Sequence, residues 1–407
     1  MIRPGSSGPA RAAPQHATGE NEVGFWRSLR RVEVRGERKP DFERFLRAVT
    51  TREPGPVPVG DTFADAEMMG ALLGERVRNL TVEAVEGQKP DFSLGLWTDL
   101  IKYFNQSIRF CCEAGWDYTY AMALTNFPGF GYRLADNTSS EVKGGKRGWI
   151  NDDQGPIMSW EDFEQYKWPS STGLVNFSSR FIARRVPKGM KVMVFYGGFF
   201  EWTTWLMGLV PFSYALSENP GLVDAIVNEV SDYIYNSAVD IIDEPNVGGI
   251  FQSDDMGHSQ STLVAPPILR EKFLPHIRRM VELAHDAGKI YVFHSCGNMY
   301  SVMDDLVEMG IDCKHSFEDK ILPVEKAYER WGDQVCIMGG VDMNILARGT
   351  EYEVRRRTRE ILDACGPGGH YVLGTGNSVA NFVPLKNYLA MLDEGRKWNK
   401  DRFGREC

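Results

Sequence analysis

The feature that most constrains this chain is an alternation. Short apolar runs are separated by long amphipathic stretches from about residue 40 to the C-terminal end. Eight runs read as strands, at 57–60, 117–123, 191–196, 249–253, 289–294, 312–317, 334–338 and 370–374. Helical patterns separate most of them; 266–287 stops at Gly288 and 351–364 stops before Gly366. A strand–helix pair repeated eight times predicts a closed parallel sheet, because each helix must cover the face its neighbouring strands bury. The expected fold is α/β, a (β/α)8 barrel in one domain over residues 24–400, with an open doubly wound sheet as the alternative. Residues 1–23 are rich in Pro, Gly, Ala and Ser without an apolar period, and read as a disordered extension.

Composition removes several classes. Hydrophobic residues make up 43% and charged residues 25% of the 407, which is ordinary globular usage. There are 46 Lys and Arg against 55 Asp and Glu, a net charge of −9. That balance argues against nucleic acid as a partner, since phosphate binding needs surplus cations. No apolar run approaches the roughly 18 residues of a membrane span, and the N-terminus has no apolar core of a secretion signal. Seven cysteines are scattered, with Cys111 and Cys112 adjacent, which fits a reduced, cytoplasmic setting.

A barrel carries its chemistry just after the strands, on the C-terminal face. Asp61 follows the first run and Asn126 the second, while Asp254, Asp255 and His258 follow the fourth. His294, Ser295 and Cys296 close the fifth, His315 and Glu318 the sixth; Asp342 follows the seventh and Asn377 the eighth. His294 and Cys296, two apart at a strand end, point the same way. They offer the nitrogen and sulfur that Zn²⁺ takes readily, although a buried cysteine beside a hydrogen-bonded histidine explains the spacing equally well. A third ligand must come from Asp255, His258, His315, Glu318 or Asp342. Adjacent Asp254 and Asp255 point to opposite faces, so one looks into the mouth while the other caps a helix or loop. The tract from Phe195 through Tyr196 to Trp202 reads as a pocket wall or as packing of the following helix. Asp61, Tyr196, His258, Asp342 and Asn377 are the expected substrate contacts, with Asp255 and His315 as catalytic groups. Arg133, Lys143, Lys146 and Arg147, around the Gly-rich stretch 137–148, suggest a lid that meets an anion or a solvated loop. Walker A, GxSxG and HExxH patterns are absent.

The stretches WLMGLVPFSYALSENPGLV, FQSDDMG, HSCGNMYSVMDDLVEMGID and GGHYVLGTGN resemble the uroporphyrinogen decarboxylase superfamily over roughly residues 200–395. The resemblance implies a (β/α)8 barrel with its site at the C-terminal mouth. True decarboxylases of this superfamily carry an N-terminal RQAGRY-like motif; here the region reads PVPVGDTFADAEMMGALLG, without those arginines. The corrinoid-dependent methyltransferase branch holds zinc on an HxC pair plus a cysteine in a strand-eight GCG motif. His294 and Cys296 match the pair, and Thr375 stands where that branch has its second thiolate. The resemblance thus implies a methyltransferase, with zinc as Lewis acid, moving a methyl group between a small methylated substrate and a corrinoid on a partner protein. A homodimer is implied by the family alone. The alternatives are a metal-free decarboxylase using Asp61 or Asp255, and a non-catalytic barrel that binds a tetrapyrrole or corrinoid.

Overall fold

The computed structural model describes residues 31–33, 39–79, 94–125, 127–129, 132–136 and 146–404. The expected extension at 1–23, Asn126 and most of the loop 137–148 lie outside them. Among the described residues nine strands are present: β1 (Tyr118–Met122), β2 (Tyr132–Asp136), β3 (Lys146–Ile150), β4 (Lys191–Gly197), β5 (Val247–Ser253), β6 (Ile290–His294), β7 (Cys313–His315), β8 (Cys336–Met338) and β9 (Tyr371–Val372). Seven form one parallel sheet in the order β1-β4-β5-β6-β7-β8-β9. Spatial order follows chain order, as successive strand–helix units require.

The run at 57–60 does not make a full strand. Val59 alone bridges in parallel to Trp116, just before β1, and to Leu373, just after β9. Backbone bonds from Gly60 N–H to Leu373 O (3.0 Å) and from Leu373 N–H to Pro58 O (2.9 Å) hold it there. The sheet therefore curls until its two edges share one residue. The antiparallel pair β2–β3 flanks the Gly-rich loop and was not among the eight expected runs.

Strands β5 and β6 are buried almost end to end, because helices cover one face and the curled interior the other. The expected helix 266–287 is two helices, Pro266–Lys272 and Leu274–Asp286. Pro275 lacks an N–H and forces the break at Phe273. Helix Glu351–Cys365 starts on a reciprocal cap between Thr350 and Glu353. Helix Phe42–Thr50 lies against the N-terminal ends of the strands: Phe42 N–H donates to Gly189 O (2.7 Å), before β4, and Asp41 N–H to Asp117 Oδ1 (3.0 Å), before β1. The opposite end carries the loops that follow each strand. Among the described residues, no helix is long and apolar enough to cross a membrane.

Candidate metal centre

Parallel pairing aligns Ser253 of β5, His294 of β6 and His315 of β7 in one register row. Neighbours in such a row share a face, so both imidazoles project to the same side. Their Nδ1 atoms are 2.7 Å apart, and both rings are buried. His294 directs its other nitrogen toward the loops. Its Nε2 is 3.4 Å from Cys296 Sγ and 3.5 Å from Asp255 Oδ1.

Asp255, His294 and Cys296 form a group of three donors whose ligand atoms all lie within 4.8 Å of one another. Zinc bonds of about 2.0–2.3 Å at tetrahedral angles put neighbouring ligand atoms roughly 3.4–3.6 Å apart. The two distances from His294 Nε2 match that spacing, so the N, O and S donors fit a zinc ion. Asp255 keeps 39% of its side chain exposed, so the group opens toward solvent on that side. Cys296 N–H donates to Asp255 Oδ1 (2.8 Å), and Asn377 Nδ2 donates to Cys296 Sγ (3.0 Å). The second bond brings the loop after β9 onto the sulfur.

Local electrostatics are uneven. Burial, then the Asp255 carboxylate, pushes the Cys296 thiol well above its ordinary range. Burial works to raise the Asp255 carboxyl too, but the His294 ring and the Cys296 N–H outweigh it, and it sits below its ordinary range. Burial lowers His315 strongly, with the His294 and Lys314 charges adding to it. Burial also raises Asp61 well above the usual carboxylate range, against the pull of the Thr375 and Thr62 N–H groups.

Several expected site residues sit elsewhere. Tyr196 follows inward-facing Phe195 and so points outward: its hydroxyl is 3.3 Å from Asn176 Oδ1 and 3.4 Å from Ser237 Oγ, under helix Pro220–Val239. It braces the helix layer and does not face the mouth. Asp342 is spent on the backbone, accepting Asn344 N–H at 2.7 Å as a helix cap and Asp319 N–H at 3.1 Å. His258 is exposed, with Nδ1 3.3 Å from Ser259 Oγ, and is not in the three-donor group. Asp61 is buried rather than presented to substrate: Oδ2 accepts Thr375 N–H (2.9 Å) and Oδ1 accepts Thr62 N–H (3.2 Å). His315, fully buried beneath His294, is withdrawn from the mouth as well. Of the paired acids, Asp254 caps helix Phe199–Met207 through Phe200 and Glu201 N–H (3.0 Å each), and Asp255 is the one that joins the donors.

Thr375 does not replace the missing thiolate. Its N–H goes to Asp61 and its hydroxyl accepts Asn377 N–H (3.3 Å). Sequence reasoning missed Glu201, whose carboxyl is held well above its ordinary range by burial and by the Asp255 and Asp254 charges. An acid inside an aromatic tract just after a strand was the available signal.

Comparison with known proteins adds three findings. The family model described as uroporphyrinogen decarboxylase (URO-D) matches residues 150–398. No curated protein matches the sequence. Among solved structures, a methyltransferase from Methanosarcina mazei is similar at a TM-score of 0.61 and 15% identity, over 87% of this chain and 98% of that one. A B12-independent methionine synthase from Shewanella sp. W3-18-1, in complex with selenomethionine, follows at a TM-score of 0.49 and 10% identity, over 86% of this chain and 98% of that one. At such identity the first likeness is one of fold. The match over 150–398, more than half of the chain, together with the strand-by-strand parallel sheet, establishes that this protein belongs to the uroporphyrinogen decarboxylase family.

Proposed function

We propose that this chain is a zinc methyltransferase that moves a methyl group between a small methylated substrate and a corrinoid carried by a partner protein. The observation that carries the reading is the spacing of Asp255, His294 and Cys296 at the end of the curled sheet. Family membership and the fold of the Methanosarcina mazei methyltransferase support it. We read the sheet as a (β/α)8 barrel whose first strand is reduced to Val59. On the same reading the protein is cytoplasmic and pairs with a second copy of itself.

Zinc held here would act as a Lewis acid on a substrate heteroatom, and one thiolate fewer than in the branch leaves it a harder one, suited to an ether or amine oxygen or nitrogen. His294 and Cys296 would anchor the ion, and Asp255 would complete the set from the more exposed side. Asn377 fixes the sulfur by its N–H, while Phe63 meets Phe195 edge-on, Phe195 lies tilted against Phe251, and the Phe251 ring lies edge-on to His315 at 5.9 Å.

The family match also favours a second reading, a carboxy-lyase on a different substrate. Two measurements separate them. Purified wild type should carry about one zinc per chain, and His294→Ala and Cys296→Ala should each lose it; stoichiometric metal surviving both changes removes the proposal. Release of carbon dioxide from a substrate panel, insensitive to chelators, would favour the lyase.

A further inference from the structure

Beneath the three donors lies a second line of polar groups that the proposed reaction does not use directly. His294 Nδ1 meets His315 Nδ1 at 2.7 Å, and His315 Nε2 lies 3.2 Å from Asp61 Oδ1. Both His315 and Asp61 are at most 1% exposed. As placed, His315 Nε2 makes no well-aligned hydrogen bond. A buried N–H without an acceptor is costly; the Thr375 carbonyl lies nearby, and Asp61 Oδ1 stands within bonding distance for a small tilt of the ring.

Asp61 is set up as an acceptor. Each of its oxygens already receives a backbone N–H, from Thr375 and from Thr62. The backbone packs closely around the pair at two glycines. A Cβ on Gly339 would stand 3.2 Å from His315 Cδ2 and Nε2 and 2.3 Å from Thr375 O, and one on Gly374 would stand 2.3 Å from Gly60 O and 3.4 Å from Asp61 Oδ2. Gly339 and Gly374 thus let neighbouring backbone carbonyls close in beside the buried pair.

We infer that Asp61 and His315 are positioning residues which fix, through a line of hydrogen bonds, the nitrogen that His294 offers to a metal. This rests on the zinc reading above and deepens it. Two imidazole nitrogens 2.7 Å apart share one hydrogen, so the rings cannot choose their tautomers independently. Asp61 accepts the Nε2 hydrogen of His315. His315 Nδ1 is then left with a lone pair and accepts the hydrogen on His294 Nδ1. With a cation beside it, His294 Nε2 in turn carries no hydrogen and stands with Cys296 and Asp255 as a free donor. Burial by itself disfavours a charge on Asp61, and a cation at the other end of the line is what favours its ionised form. Ligating histidines are commonly held by a carboxylate on their other nitrogen, and loss of such a partner costs about 10–100-fold in metal affinity. Here a second imidazole is interposed.

The test uses the full chain. Zinc affinity is measured by competition with a chromophoric chelator in wild type, Asp61→Asn, His315→Gln and the double variant. Whichever way it turns, an amide at position 61 carries no charge and must set its NH2 against Thr62 N–H or Thr375 N–H, so Asp61→Asn should weaken zinc about 10–100-fold. A glutamine amide can turn either end toward His294, so the same change at 61 should have no effect in the His315→Gln background. Nitrogen-15 spectra of histidine-labelled, zinc-loaded wild type provide a readout independent of any variant's folding, with hydrogens expected on Nδ1 of His294 and Nε2 of His315. Unchanged affinity in Asp61→Asn, an equal loss in both backgrounds, or a hydrogen on Nδ1 of His315 overturns the relay and leaves the centre standing. Wild type that takes no zinc overturns the centre and the relay together.

Discussion

Lys314 shows what a single residue next to the site costs and gains. It is 3% exposed, and its Nζ donates to the carbonyls of Ser295 (3.1 Å), His315 and Ser316 (3.4 Å). Burial brings its pKa down to about 8, although nearby Cys296 and Asp255 pull the other way. An unfolded lysine titrates near 10.4. Between about pH 8 and 10.4 the unfolded chain therefore holds a proton that the folded chain has released, and stability rises with pH across that window. Measured by denaturant unfolding, wild type should gain about 3 kcal/mol on Lys314→Met from pH 8 to above pH 10. A flat difference would contradict the buried-ammonium account. The donors themselves follow the same logic: Cys296 is a thiol until a cation stands beside it, so its role is decided by its neighbours rather than by its own chemistry.

At the scale of elements, the two ends of the sheet have separate duties. Helix Phe42–Thr50 buries Phe42, Phe45 and Val49, and the Phe45 ring lies 4.7 Å from that of Tyr118. Arg44 reaches Asp117 with Nε on Oδ2 (2.7 Å) and a second guanidinium N–H on Oδ1. Asp117 is fully buried, so removing the Arg44 guanidinium takes away a cation that compensates its charge. Arg44→Ala should lower stability by about 3–5 kcal/mol in denaturant unfolding, while zinc affinity stays within a few-fold of wild type. A large loss of affinity in that variant would show that the two ends are coupled. The break at Phe273 belongs to this scale as well: the apolar period continues through it, and the proline alone divides the helix.

At the scale of the molecule, folding assembles the three donors from two strand ends, β5 and β6, and the loop after β9 adds the N–H that holds the sulfur. An unfolded chain offers no such group, so zinc binding is linked to folding. At about 100 times its dissociation constant, zinc should add about 2.7 kcal/mol to unfolding, a gain that a chelator reverses and that His294→Ala abolishes. Equal unfolding curves with and without zinc would remove the linkage.

The order of strands and seven of the eight runs were legible in the sequence, because a buried parallel strand is a short apolar run and its crossover helix a longer periodic one. His294 and Cys296 were legible as well, since a spacing of two at a strand end is a local property. The shrinking of the first run to Val59 was not; its bridges reach residues 57 and 314 positions away. Nor was the choice of Asp255 among five candidate ligands, or which face of β4 lines the curled interior. Pattern within a segment sets which face a side chain takes, but the register between segments sets what it meets there. The row Ser253, His294, His315, with Asp61 closing beneath it, exists only once the sheet has curled.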